Sequence, residues 1–154
     1  MYSFLLALHS LVRWLVVITL VASVINAYRG WLGARPFGAG SRRLRIATVT
    51  IAHIQLILGI SLYIISPVVK YFLENFGTAV KMREMRFFGM EHSSMMLLSI
   101  VLLTIGSAKA KRKSTSREQY KTIAIWYSIA FVILFLSIPW GFSPLTHRPY
   151  FRAF

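Results

Sequence analysis

The chain of 154 residues has no cysteine and only four acidic residues, Glu74, Glu84, Glu91 and Glu118. The first absence excludes disulfides, thiolate metal sites, iron–sulfur clusters and thioether-linked haem, so a metal centre here must use histidine, methionine or carboxylate. The second leaves eighteen Lys and Arg almost unopposed, a formal charge of +14. On a soluble chain that excess would suggest nucleic acid. Charged residues are nevertheless scarce, 14% against 56% apolar, where soluble domains average about 25% and about 45–50%. The apolar residues gather in four blocks of about 20, each long enough to cross a bilayer. The basic residues fall mainly between the blocks, where they orient the chain and meet anionic lipid head groups. Nucleic acid is therefore set aside, and too little chain remains for a separate soluble domain.

The blocks cover about 4–27, 44–66, 87–108 and 123–142 of a single membrane domain, 1–154. No Lys or Arg precedes the first block, so it reads as a retained helix and not as a cleaved signal. Pro67 closes the second. Between the second and third, 68–86 mixes Val68, Val69, Tyr71, Phe72 and Phe76 with Lys70, Glu74, Lys81 and Glu84, which predicts an interfacial helix. The connections 28–43 and 109–122 are basic: Arg29, Arg35, Arg42 and Arg43, with Arg45 just beyond, and then Lys109, Lys111, Arg112, Lys113, Arg117 and Lys121. Positive charge prefers the cytoplasm, which puts both of these connections there and both termini on the opposite side. Short connections make sequential helices antiparallel neighbours, so the expected fold is an all-α, polytopic, up-and-down four-helix bundle. Tyr63, Trp126, Tyr127 and Trp140 read as interfacial aromatics.

Three of the four histidines, His9, His53 and His92, lie inside blocks, and His147 follows the fourth. Ionisable residues within a bilayer are costly and are read first as functional. At a rise of about 1.5 Å per residue, His9 and His92 both sit roughly 8 Å below the outer boundary. Their helices, the first and third, run the same way and stand diagonally, so the two imidazoles can bind one iron from both faces of a b-type haem. The pairs His9-Ser10 and His92-Ser93 each open a span that leads through a basic loop into a returning helix, as in a parallel repeat. His53 has no counterpart under that repeat, where Leu136 stands in its place. It lies roughly 13 Å from the basic side, too deep to share the level of the pair unless its helix is shifted. Three roles stay open for it: a second site with Met96, a hydrogen bond across helices to Ser or Thr, or the wall of a quinone pocket.

Arg13, one turn below His9, can meet a haem propionate or pair with Glu91 as plain helix glue. A metal cluster of His9, Glu91 and His92 is a further alternative. Met95 and Met96 read mainly as packing residues, and Ser93, Ser94, Ser99, Gly59 and Gly106 as places where helices approach closely.

The run Leu8-His9-Ser10-Leu11-Val12-Arg13-Trp14, the segment Ala52-His53-Ile54-Gln55 with Gly59 and Tyr63, and Glu91-His92-Ser93-Ser94-Met95-Met96 together resemble small four-helix bacterial inner-membrane proteins labelled cytochrome-b-like. The resemblance extends over nearly the whole chain. It implies a bacterial inner-membrane location and b-type haem. The diagonal bis-histidine arrangement is also similar to that of respiratory cytochromes b, from which the chain departs in having three membrane histidines and not four. The expectation is an electron carrier or subunit rather than a complete enzyme, with His9 and His92 as haem ligands and Arg13 assisting. His53 is an additional cofactor-site candidate; quinol, a respiratory complex or a second copy of the chain would be partners. The competing expectation is a cofactor-free accessory subunit of a larger membrane complex.

Overall fold

The structure, a computed structural model, describes residues 1–141; His147 lies outside the described residues. Helices α1 (Tyr2–Leu32) and α2 (Ala39–Ile65) are followed by a short amphipathic α3 (Pro67–Glu74) and two single turns, α4 (Phe76–Ala79) and α5 (Arg83–Arg86). A π-helical turn, Phe87–Glu91, then leads into α6 (His92–Lys111), and α7 (Ser116–Ser137) completes the set. Among the described residues four helices are long and apolar enough to cross a membrane: α1, α2, the continuous run Arg83–Lys111, and α7. No strand occurs among the described residues. The molecule is an all-α four-helix bundle.

Around the ring, α1 packs on α2 and α7, and α6 packs on α7 and α2, which leaves α1 and α6 as one diagonal. The seams are built from small residues. Ala27, Ala52, Ser99, Ala124 and Ala130 are buried where backbones approach, and Gly30 and Gly106 lie directly under the rings of Tyr120 and Trp126. In hydrocarbon there is little hydrophobic drive between helices, so close packing of this kind holds the bundle together. The outer faces remain apolar, with Ile57, Ile64 and Leu136 all more than half exposed.

Helix ends follow local chemistry. Pro67 has no N–H to continue α2 but suits the first turn of α3, whose N-cap is the Ser66 hydroxyl, 3.5 Å from the Val69 N–H. Thr115 caps α7 by accepting from the Glu118 N–H at 3.3 Å, and its hydroxyl donates to the Glu118 carboxylate at 3.0 Å. The helices run further into the basic connections than expected, leaving only 33–38 and 112–115 as loops. Lys and Arg are good helix formers, and their long stems let the charge reach the interface. Arg45, counted with the charges of the first basic connection although it falls in the second block, lies well inside α2 and is only 9% exposed.

The expected helix between the second and third spans is α3, which buries Val69 and Phe72 and leaves Lys70, Tyr71 and Glu74 exposed. Phe72 presses on Gly89 so closely that a Cβ there would overlap its ring. Two of the four expected interfacial aromatics are buried instead. Tyr127 is fully enclosed, its hydroxyl 3.5 Å from the Arg45 carbonyl, and Trp140 donates its indole N–H to the Phe135 carbonyl at 2.8 Å.

Candidate cofactor site

At the end of the bundle away from the basic connections, α1, α2 and α6 line a half-open cavity of about 590 Å³, with Leu134 and Ile138 on its fourth side. His9, Arg13, Gln55, Tyr63 and His92 are on its wall, among mainly apolar neighbours. Mostly apolar concave space with a few convergent polar groups is the usual form of a small-molecule site. Among the described residues His53 is not on that wall.

The structure brings His9 and His92 together. Their ring centroids are 6.4 Å apart, with the planes inclined at 70°. They reach each other across the diagonal because the diagonal helices do not close on one another. His92 follows the π-helical turn, a one-residue irregularity that changes which side chains face the bundle interior. Tyr63 donates to the Gly89 carbonyl inside this turn at 2.8 Å, tying it to α2. Phe87 and Phe88 hold the ring of His92, with centroids 5.6 and 6.2 Å away.

The orientation of His92 comes from α7. That helix stops at Ser137, before Pro139, and its last carbonyls have no helical partners. The Ser137 carbonyl lies 2.8 Å from Nδ1 of His92 and accepts that N–H, which leaves Nε2 as the ring's lone-pair nitrogen. This is the arrangement that orients metal-binding histidines. His9 is set against Gly59, where even a methyl group would come within 3.4 Å of its Cε1. Its carbonyl accepts from Nε2 of Gln55 at 3.0 Å, whereas His9 Nδ1 and Gln55 Oε1 are buried without hydrogen-bond partners.

The remaining candidates separate. Arg13 lies on the cavity wall, with Nη2 3.5 Å from the Ser10 hydroxyl and its guanidinium 5.5 Å from the Trp14 ring. An Arg13–Glu91 pair does not form, because Glu91 accepts from Arg86 at 2.6 Å. Among the described residues no group of three His, Cys, Asp or Glu gathers around a common point, so a His9, Glu91, His92 cluster is not assembled. His53 stands outside the cavity, its Nδ1 2.8 Å from the Val49 carbonyl and its Nε2 3.4 Å from the Thr104 hydroxyl on α6. That placement sets its ring beside Thr104, whose own O–H goes to the Ile100 carbonyl at 2.8 Å. Sequence reasoning missed Ser137, Gly59 and Gln55. Pro139 was the available signal for the first, since a proline just beyond a helix leaves carbonyls to be claimed.

Comparison with protein-family models, curated proteins and solved structures finds no match to this chain.

Proposed function

We propose that the chain is an integral membrane electron carrier that holds one b-type haem in this cavity, where His9 and His92 would be the residues that hold its iron. The observation that carries the reading is the spacing of the two rings. A metal bonded to imidazole nitrogen at about 2 Å on each side puts the two ring centroids about 6 Å apart, close to the 6.4 Å found here. The donor set also suits the group, because one ring already has its distal nitrogen fixed by Ser137 and the cavity wall is largely apolar.

When bound, haem supplies a one-electron couple, and the protein tunes it through ligands, burial and hydrogen bonds. The chain's own residues do the rest. Ser137 keeps the proton of His92 on Nδ1, so Nε2 is a permanent electron-pair donor. Gly59 gives His9 its room, Leu134 and Ile138 help exclude water, and Arg13 brings positive charge to the wall where a carboxylate would be favoured. Quinol or a respiratory complex is the matching electron partner. The location that goes with this reading is the bacterial inner membrane, with the basic connections in the cytoplasm and both termini across from them, as in the cytochrome-b-like proteins that the motifs resemble.

The test is a reduced-minus-oxidised visible spectrum of the full chain purified in detergent with haem supplied during expression. Soret and α bands are expected in the parent protein and in His53→Ala, and should be lost in His9→Ala and in His92→Ala. A colourless parent protein would overturn the reading in favour of the cofactor-free accessory subunit.

A further inference from the structure

A second buried charge lies well away from the histidine pair and has no part in that reading. Arg45 on α2 is 9% exposed. Its Nη1 donates to the Ser107 carbonyl at 3.1 Å and to the Ser107 hydroxyl at 2.5 Å, on α6. The other guanidinium nitrogens donate to nothing among the described residues, and no carboxylate there pairs with this arginine. Glu118, the one acid in the basic connections, is engaged by Thr115. Those unbonded nitrogens are not among the buried atoms left without a partner, so they open to the surface, and because arginine does not shed its proton a guanidinium held in the seam favours an anion at that opening.

The surroundings define what kind of anion. Arg45 bridges the α2–α6 seam, the most loosely packed of the four. Arg42 is three residues before it on α2, and Lys111 is four residues after Ser107 on α6. By helical register both flank the same end of the seam, and both are exposed. Further along, the outer surface turns apolar, with Ile46, Val101 and Ile105 exposed. A buried cation, two exposed ones and an apolar track fit one molecule with a phosphate at one end and hydrocarbon at the other.

We propose that the α2–α6 seam binds one anionic phospholipid, its phosphate on the free donors of Arg45 between Arg42 and Lys111 and its acyl chains along Ile46, Val101 and Ile105. This is narrower than the general attraction of a basic surface for acidic lipid, which would spread over all the connections. It is also independent of whether the cavity holds haem.

Native mass spectrometry of the full chain in detergent, titrated with phosphatidylglycerol, phosphatidylcholine or inorganic phosphate, reads the site directly. One phosphatidylglycerol adduct should saturate at one per chain, at least tenfold tighter than phosphatidylcholine, with no adduct from inorganic phosphate alone. The exposed double variant Arg42→Gln/Lys111→Gln should weaken it about tenfold, and Arg45→Gln should abolish it while circular dichroism shows the helices intact. A control with the same charge loss, Arg35→Gln/Arg117→Gln, should leave it unchanged. The proposal is overturned by adducts that accumulate without saturation, by equal binding of inorganic phosphate, or by a control that loses as much affinity as the seam variant.

Discussion

The two ends of the bundle treat their polar side chains in opposite ways. At the basic end they are joined. Asn26 donates to Ser41 at 3.1 Å, Ser41 and Tyr120 share a hydrogen bond of 2.7 Å, Ser23 meets Thr48 at 2.7 Å, and Arg45 reaches Ser107. These contacts link all four long helices. At the other end His9 Nδ1 and Gln55 Oε1 are buried beside open space with nothing to bond. An unmet buried polar atom costs about 1–3 kcal/mol. The basic end ties its helices together and keeps only the outward donors of Arg45 unused, while the other end leaves room beside two unmet buried atoms, which suits the proposed cofactor site.

The largest effect should come from weakening the scaffold end where a charge is involved. Ser107→Ala removes the hydroxyl that Arg45 uses and leaves only the carbonyl, a loss of about 1.5–3 kcal/mol for a hydrogen bond to a charged group. Unfolding by denaturing detergent in mixed micelles would measure it, and a cost below a few tenths would show that this end is not the scaffold. Next comes Thr48→Val. Thr48 is fully buried, bonds Ser23, and donates to carbonyls at 2.9 and 3.1 Å, so its isosteric replacement should cost about 1–2 kcal/mol and leave any haem spectrum unchanged.

How much of this was legible in the sequence follows from which residues act locally. Four spans, the stop at Pro67 and an amphipathic segment after it depend on composition and on proline chemistry, and these could be read. So could the shared level of His9 and His92, because rise per residue is fixed once a span's start is known. The partners of those rings could not. Ser137 meets His92 only through the way α7 lies against α6, and the π-helical turn at 87–91 shifts the register that a regular helix would give. Arg42 and Arg43 misled for a related reason: a run of basic residues reads as loop, whereas helical propensity carried α2 through it. His53 looked equivalent to the other two because an intramembrane histidine carries no mark of which way its ring turns, and here it stands off the cavity wall with Nδ1 on the Val49 carbonyl of its own helix.

Tyr63→Phe tests whether the irregular turn at the open end positions the site or only packs it. Loss of the bond to the Gly89 carbonyl should cost about 0.5–1.5 kcal/mol. Its sharper signature is a shift in the haem α band or midpoint potential, since the turn sets the placement of His92. A variant equal to the parent in both would limit the turn to packing.

The smallest change, Gly59→Ala, should have the opposite sign. Glycine within a helix costs about 0.5–1 kcal/mol relative to alanine, so the substitution stabilises α2 by up to that amount. The new methyl would stand 3.4 Å from Cε1 of His9, in ordinary van der Waals contact, and would take up the space into which the ring can shift when a ligand enters. The variant should therefore resist denaturing detergent slightly better than the parent while retaining less haem, measured as absorbance per chain after gel filtration. Stability gained where binding is lost is what a site kept open at the expense of its own helix predicts, and a Gly59→Ala protein that is weaker in both respects would make the open end merely a loosely packed part of the same scaffold.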